Sequence, residues 1–60
     1  MTREQARKFR DDPTRRVEAG KGEDYDTGWI AGFDGPDIAI VSWDSGVITS
    51  YPISKLRPKK

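Results

Sequence analysis

Sixty residues with eleven Lys and Arg against ten Asp and Glu, a net charge of +1, and no cysteine or histidine set the first limits on this chain. A chain this short buries only about 60% of the surface its unfolded form exposes, so it supports one core. Disulfides and zinc sites built from Cys or His are excluded, the commonest general acid–base group is missing, and stability must come from aromatic and branched aliphatic packing or from self-association.

The first segment, Met1 to Asp12, reads as a short helix. Thr2 followed three residues later by Gln5 fits a capping box, and Asp12-Pro13 supplies a stop. Only Ala6 and Phe9 fall at helical spacing, so the helix must dock through Phe9 or fray. From Arg16 onward, apolar residues alternate and glycines punctuate, as consecutive short strands do. Arg16 to Ala19 places Val17 and Ala19 on one face. Residues 20–26 form a polar, glycine-containing loop. Gly28 to Phe33 places Trp29, Ala31 and Phe33 on one side and Ile30 on the other.

Asp34-Gly35-Pro36-Asp37 is a turn. Ile38 to Trp43 is the strongest strand, with Ala39, Val41 and Trp43 on one face and Ile38 and Ile40 on the other, as a central strand would have. Asp44-Ser45-Gly46 turns into Val47 to Tyr51, which Pro52 ends. Ile53 to Leu56 spaces two apolar residues as one 3₁₀ turn would, and Arg57 to Lys60 is a last edge strand or a tail. The expected architecture is all-β: an N-terminal helix or arm over residues 1–15 and a small five-stranded SH3-like barrel over 16–60. Its core candidates are Val17, Ile30, Ile40, Val41, Val47, Ile53 and Leu56, although Ile40 and Val41 cannot both point inward along a regular strand.

The segments Gly28 to Phe33, Ala39 to Gly46 and Tyr51 to Pro58 resemble the Tudor and KOW group of SH3-like barrels, in which a strand ending in an aromatic residue and an acid turns tightly into the next. The resemblance implies binding rather than catalysis, because Tudor domains hold methylated lysine or arginine in an open box of aromatic rings. Here Trp43 fills one wall and Tyr25 can supply a second, while Thr49 stands where another aromatic is common. Trp29 and Phe33 read as core or rim packing, and Trp43 as either core or site. Val47 to Ile53 is also similar to the pore-lining strand of the plasmid-borne type II dihydrofolate reductases, small barrels of the same class that act as homotetramers. That strand reads Val-Gln-Ile-Tyr-Pro-Val, and Thr49 and Ser50 replace its glutamine and isoleucine here. This similarity implies self-association and a small ligand, not reductase activity.

Charge is sorted along the chain. Residues 1–17 carry six bases against three acids, residues 18–52 one base against seven acids, and residues 53–60 four bases and no acid. The leading expectation is a non-enzymatic module that recognises a protein or peptide, with a basic side chain received at a rim of Tyr25, Asp26, Trp43, Asp44 and Tyr51. The alternative is a nucleic-acid-binding accessory protein that uses Arg15, Arg16, Lys55, Arg57, Lys59 and Lys60. The third reading is the self-associating barrel with a small ligand. Glu23, Asp24 and Asp26 lack the ligand register of a calcium loop, and Gly20-Lys21-Gly22 lacks the spacing of a phosphate loop, so neither metal nor cofactor is expected. No apolar run approaches a membrane span of about 20 residues and no signal peptide opens the chain, so a cytoplasmic location is expected.

Overall fold

Helix α1 (Arg3–Asp11) begins at the expected capping box: the Thr2 hydroxyl accepts the Gln5 N–H at 3.2 Å, and the Gln5 side chain accepts the Thr2 N–H at 3.4 Å. It ends at Asp12, whose carboxylate turns back to accept the Thr14 N–H at 3.0 Å and hydroxyl at 2.7 Å. The computed structural model describes residues 1–59. The helix docks. Ala6 and Phe9 are buried in the same cluster as Val17, Ile30, Val41 and Leu56, so helix and sheet share one core. Arg3 reinforces the docking by donating to the carbonyls of Gly35 and Pro36 at 3.0 Å each. The guanidinium groups of Arg3 and Arg10 both lie over the Phe33 ring.

Five strands follow: β1 (Arg16–Ala19), β2 (Asp26–Phe33), β3 (Ile38–Trp43), β4 (Ile48–Pro52) and β5 (Arg57–Lys59). All pair antiparallel in one sheet of order β4-β3-β2-β1-β5. One 3₁₀ turn, Gly22–Asp24, lies in the polar loop, and a second, Ile53–Lys55, stands before β5 where the Ile53/Leu56 spacing predicts it. The chain is thus the all-β five-stranded fold with an N-terminal helix that its alternation and turns lead one to expect. Gly46 takes its left-handed conformation (φ 97°) at the end of the β3–β4 turn.

The core lacks two of its expected members, Ile40 and Val47, while the expected faces of β3 hold, and facing departs from expectation on β2 alone. Val41 turns inward and is fully buried, which sends its neighbour Ile40 to the half-buried outer face. Val47 lies in the turn rather than in β4 and is 51% exposed, so it leaves the core. On β2, pairing with β3 shifts by one residue between Ile30 and Gly32, which makes Ala31 the extra residue of a bulge. Strict alternation puts Trp29 and Phe33 together, but the bulge returns Phe33 to the inner face opposite Ala39. Trp29 stays outside, 40% exposed.

Candidate functional site

The inner face of the sheet carries Val17 and Ala19 on β1, Asp26 on β2, Trp43 on β3 and Thr49 and Tyr51 on β4, because register pairs Ala19 with Asp26, Val41 with Thr49 and Ala39 with Tyr51. Toward the Trp43 end this face opens as a cleft of about 310 Å³, lined by Asp24, Asp26, Trp43, Val47, Thr49 and Tyr51, with Ala19 and Ser45. That volume is at the lower end of the roughly 300–1,000 Å³ typical of ligand pockets. Trp43 and Tyr51 meet edge to face with ring centroids 5.4 Å apart, and the Trp43 indole donates to the Thr49 hydroxyl at 2.8 Å. Asp26 accepts the Thr27 N–H through one carboxylate oxygen. Two acidic residues therefore line the cleft with two aromatic ones, and among the described residues no base does.

Of the five residues predicted for the rim, Asp26, Trp43 and Tyr51 come together, whereas Tyr25 and Asp44 do not. The reason is the period of an extended chain: neighbours point to opposite sides. Asp26 faces the cleft and Tyr25 turns away, its hydroxyl donating to Glu18 at 2.6 Å, a bond that raises the phenol above its ordinary pKa. Trp43 faces the cleft and Asp44 lies outside, bonded to Arg16 and Thr27. Trp43 is also more buried than a strand-end residue is expected to be, 8% exposed, so it belongs to the core and presents one part of its ring to the cleft. Counting by twos from Trp43 reaches Val47, Thr49 and Tyr51 and would have found this wall. Asp24 has no such signal, because the 3₁₀ turn that carries it is not written in the periodicity.

The basic set divides. Arg15, Arg16 and Lys59 line a second cleft of about 380 Å³ with Phe9 and Thr14, where β5 pairs with β1. Arg15 holds Asp12 at 3.3 Å and Arg16 holds Asp44, so both guanidinium groups there already face carboxylates. Arg57 donates to the Gly20 carbonyl at 2.8 Å and lies 3.7 Å from Glu18. Lys55 is exposed on the 3₁₀ turn outside this cleft, and Lys60 lies outside the described residues. Among the described residues no helix is long and apolar enough to cross a membrane. Comparison with known families, with curated proteins and with solved structures gives no match.

The outer network has a pH signature. Hydrogen bonds from Arg16, then from Thr27, hold the Asp44 carboxyl below its ordinary pKa of 3.8. A folded pKa below the unfolded one means that Asp44 contributes stability above about pH 4, which is lost as pH falls through the depressed folded value. Asp12 acts in the same direction through Thr14 and Arg15. Urea unfolding midpoints of the wild type should therefore fall between pH 5 and pH 2, and Asp44→Asn should flatten that fall. An equally steep fall in the variant would show that the pair contributes nothing.

Proposed function

We propose that the chain is a non-enzymatic binding module that receives a lysine or arginine side chain of a protein or peptide partner in the cleft of Trp43, Tyr51, Asp24 and Asp26. The observation that carries this reading is the lining itself, two acidic residues beside an edge-to-face aromatic pair, with no competing base among the described residues. A cation there gains attraction from both ring and carboxylate, while its methylene stem packs on Val47 and Ala19. Pairing of the first and last strands, and the 3₁₀ turn before the last, support the SH3-like and Tudor-type reading of the fold. The nucleic-acid alternative draws on the Arg15, Arg16 and Lys59 cleft, where two of three bases must first give up a carboxylate.

Magnitudes limit what the cleft does alone. Cation–π attraction and a surface ion pair are worth about 1–3 kcal/mol together, and a millimolar complex needs about 4. N-acetyl-lysine methylamide should accordingly bind no tighter than about 1 mM. In a ¹⁵N NMR titration it should shift the Trp43 indole and the Thr49 and Tyr51 amides, and the norleucine analogue should not. Replacing Asp24 and Asp26 together with asparagine should weaken it about tenfold, an effect of about 1.4 kcal/mol. Equal shifts with norleucine, or indifference to the double substitution, would count against the reading. An oligonucleotide that shifts Arg15, Arg16 and Lys59 and leaves the cleft unmoved would favour the alternative.

A further inference from the structure

The two edges of the sheet are built differently. Strand β5 presents Arg57, Pro58 and Lys59, a short edge carrying two bases and a proline, which are the devices that discourage a further strand from pairing. Strand β4 has none of the charges. From Ser45 to Ile53 the chain carries no charged residue, Ile48, Thr49 and Ser50 are all exposed, and Ile48 is 65% exposed. A β-branched, uncharged edge left open in this way is a template for pairing.

The ladder identifies which groups are open. The Trp43 N–H donates to the Val47 carbonyl at 2.8 Å and the Ile53 N–H to the Asp37 carbonyl at 2.9 Å. Register pairs Val41 with Thr49 and Ala39 with Tyr51 between those bonds. In an antiparallel ladder, residues alternate between facing the partner strand and facing away. Thr49 and Tyr51 therefore direct their N–H and C=O groups to β3, whereas Ile48 and Ser50 direct theirs outward at the edge. Pro52 follows in the same outward phase, where its missing N–H costs no ladder bond, and it bounds the open segment.

We infer that the open edge of β4 accepts an extended peptide as a sixth strand, whose central lysine or arginine lies opposite Thr49 and enters the acidic, aromatic cleft. The inference rests on the reading of the cleft as a cation site and supplies the affinity that one side chain lacks. The residues flanking that base exchange backbone hydrogen bonds with Ile48 and Ser50, and their side chains fall on the outer face. The flank beside Ile48 is apolar. Charge complementarity selects the occupant: the cleft is acidic, and β4 itself carries no base to offer from a second copy.

The probe is acetyl-Thr-Val-Lys-Val-Thr-amide, with a version N-methylated at both valines and a version with norleucine for lysine. The unmodified peptide should bind at least tenfold tighter than N-acetyl-lysine methylamide, slow hydrogen exchange at the Ile48 and Ser50 amides, and shift the Trp43 indole. N-methylation and norleucine should each remove most of that gain, and Ser50→Pro, which deletes one edge donor, should weaken the peptide but not the lysine amide. If the lysine amide shifts Trp43 while the peptide gains nothing over it, or gains equally when N-methylated, the edge proposal is overturned and the cleft stands. If the lysine amide fails to shift Trp43 and Tyr51, and the norleucine peptide binds as well as the lysine one, both readings fall. Protection of Ile48 and Ser50 that grows with protein concentration and accompanies a doubled sedimentation mass would overturn it in favour of a second copy.

Discussion

Gly28→Ala should leave the chain largely unfolded at 25 °C, read as loss of the strand signal in far-UV circular dichroism. Gly28 is buried on β2 and paired with Trp43. A Cβ there would overlap the Ser42 carbonyl oxygen and come within 2.9 Å of the Trp43 Cα and 3.0 Å of the Ser42 carbonyl carbon. All three are backbone atoms, so no side chain can swing aside; β2 and β3 must part. Overpacking commonly costs about 1–3 kcal/mol and more where the obstacle cannot relax. A core this small supplies about 3–5 kcal/mol in all. Gly32→Ala is the matched control on the same strand, because nothing lies within 4 Å of its added methyl. Its stability should change by less than about 1 kcal/mol. A folded Gly28→Ala protein with near wild-type stability would show that the two strands approach less closely than described.

Most of the fold was legible because its signals are local. A capping box, a left-handed glycine at Gly46 and a proline at the end of β4 each act within four or five residues, and each fixed an element boundary to within two. The β1 and β3 limits need only period-two alternation between turn residues. What the sequence did not carry is the place where a strand breaks its alternation. Ala31 becomes the bulge of β2 beyond the stretch that pairs with β1, and the glycine beside it, Gly32, signals a bulge in general without saying which residue is the extra one. A different limit governs the site. Reading Tyr25-Asp26 and Trp43-Asp44 as joined aromatic–acid units groups residues that extended backbone separates, so each pair lends one member to the cleft and one to the outer network with Glu18, Arg16 and Thr27. Asp24 reaches the cleft through a 3₁₀ turn in the β1–β2 loop, closed by local backbone hydrogen bonds that hydrophobic alternation does not encode.

Trp43→Ala should unfold the chain as well, and for that reason it cannot serve as a binding test. The indole is 8% exposed, meets the Tyr51 ring edge to face and belongs to the core cluster with Val17, Val41 and Leu56. Truncating a buried aromatic to alanine costs about 3–5 kcal/mol, as much as the whole domain has available. Trp43→Phe separates packing from polarity. It keeps most of the ring's contact with Tyr51 but loses the bond from the indole N–H to the Thr49 hydroxyl. Because Thr49 is exposed, water can replace the lost donor. The variant should stay folded with a loss of about 1–2 kcal/mol in urea unfolding. Fluorescence then reports the two tryptophans one at a time. In Trp29→Phe the remaining Trp43 should emit to the blue and resist iodide, whereas in Trp43→Phe the remaining Trp29, 40% exposed on the outer face, should be readily quenched. Lysine-amide binding should persist in Trp43→Phe, weakened because phenylalanine presents a poorer π face than tryptophan. A Trp43→Ala protein that folds with unchanged stability would place the ring outside the core and return it to the open rim.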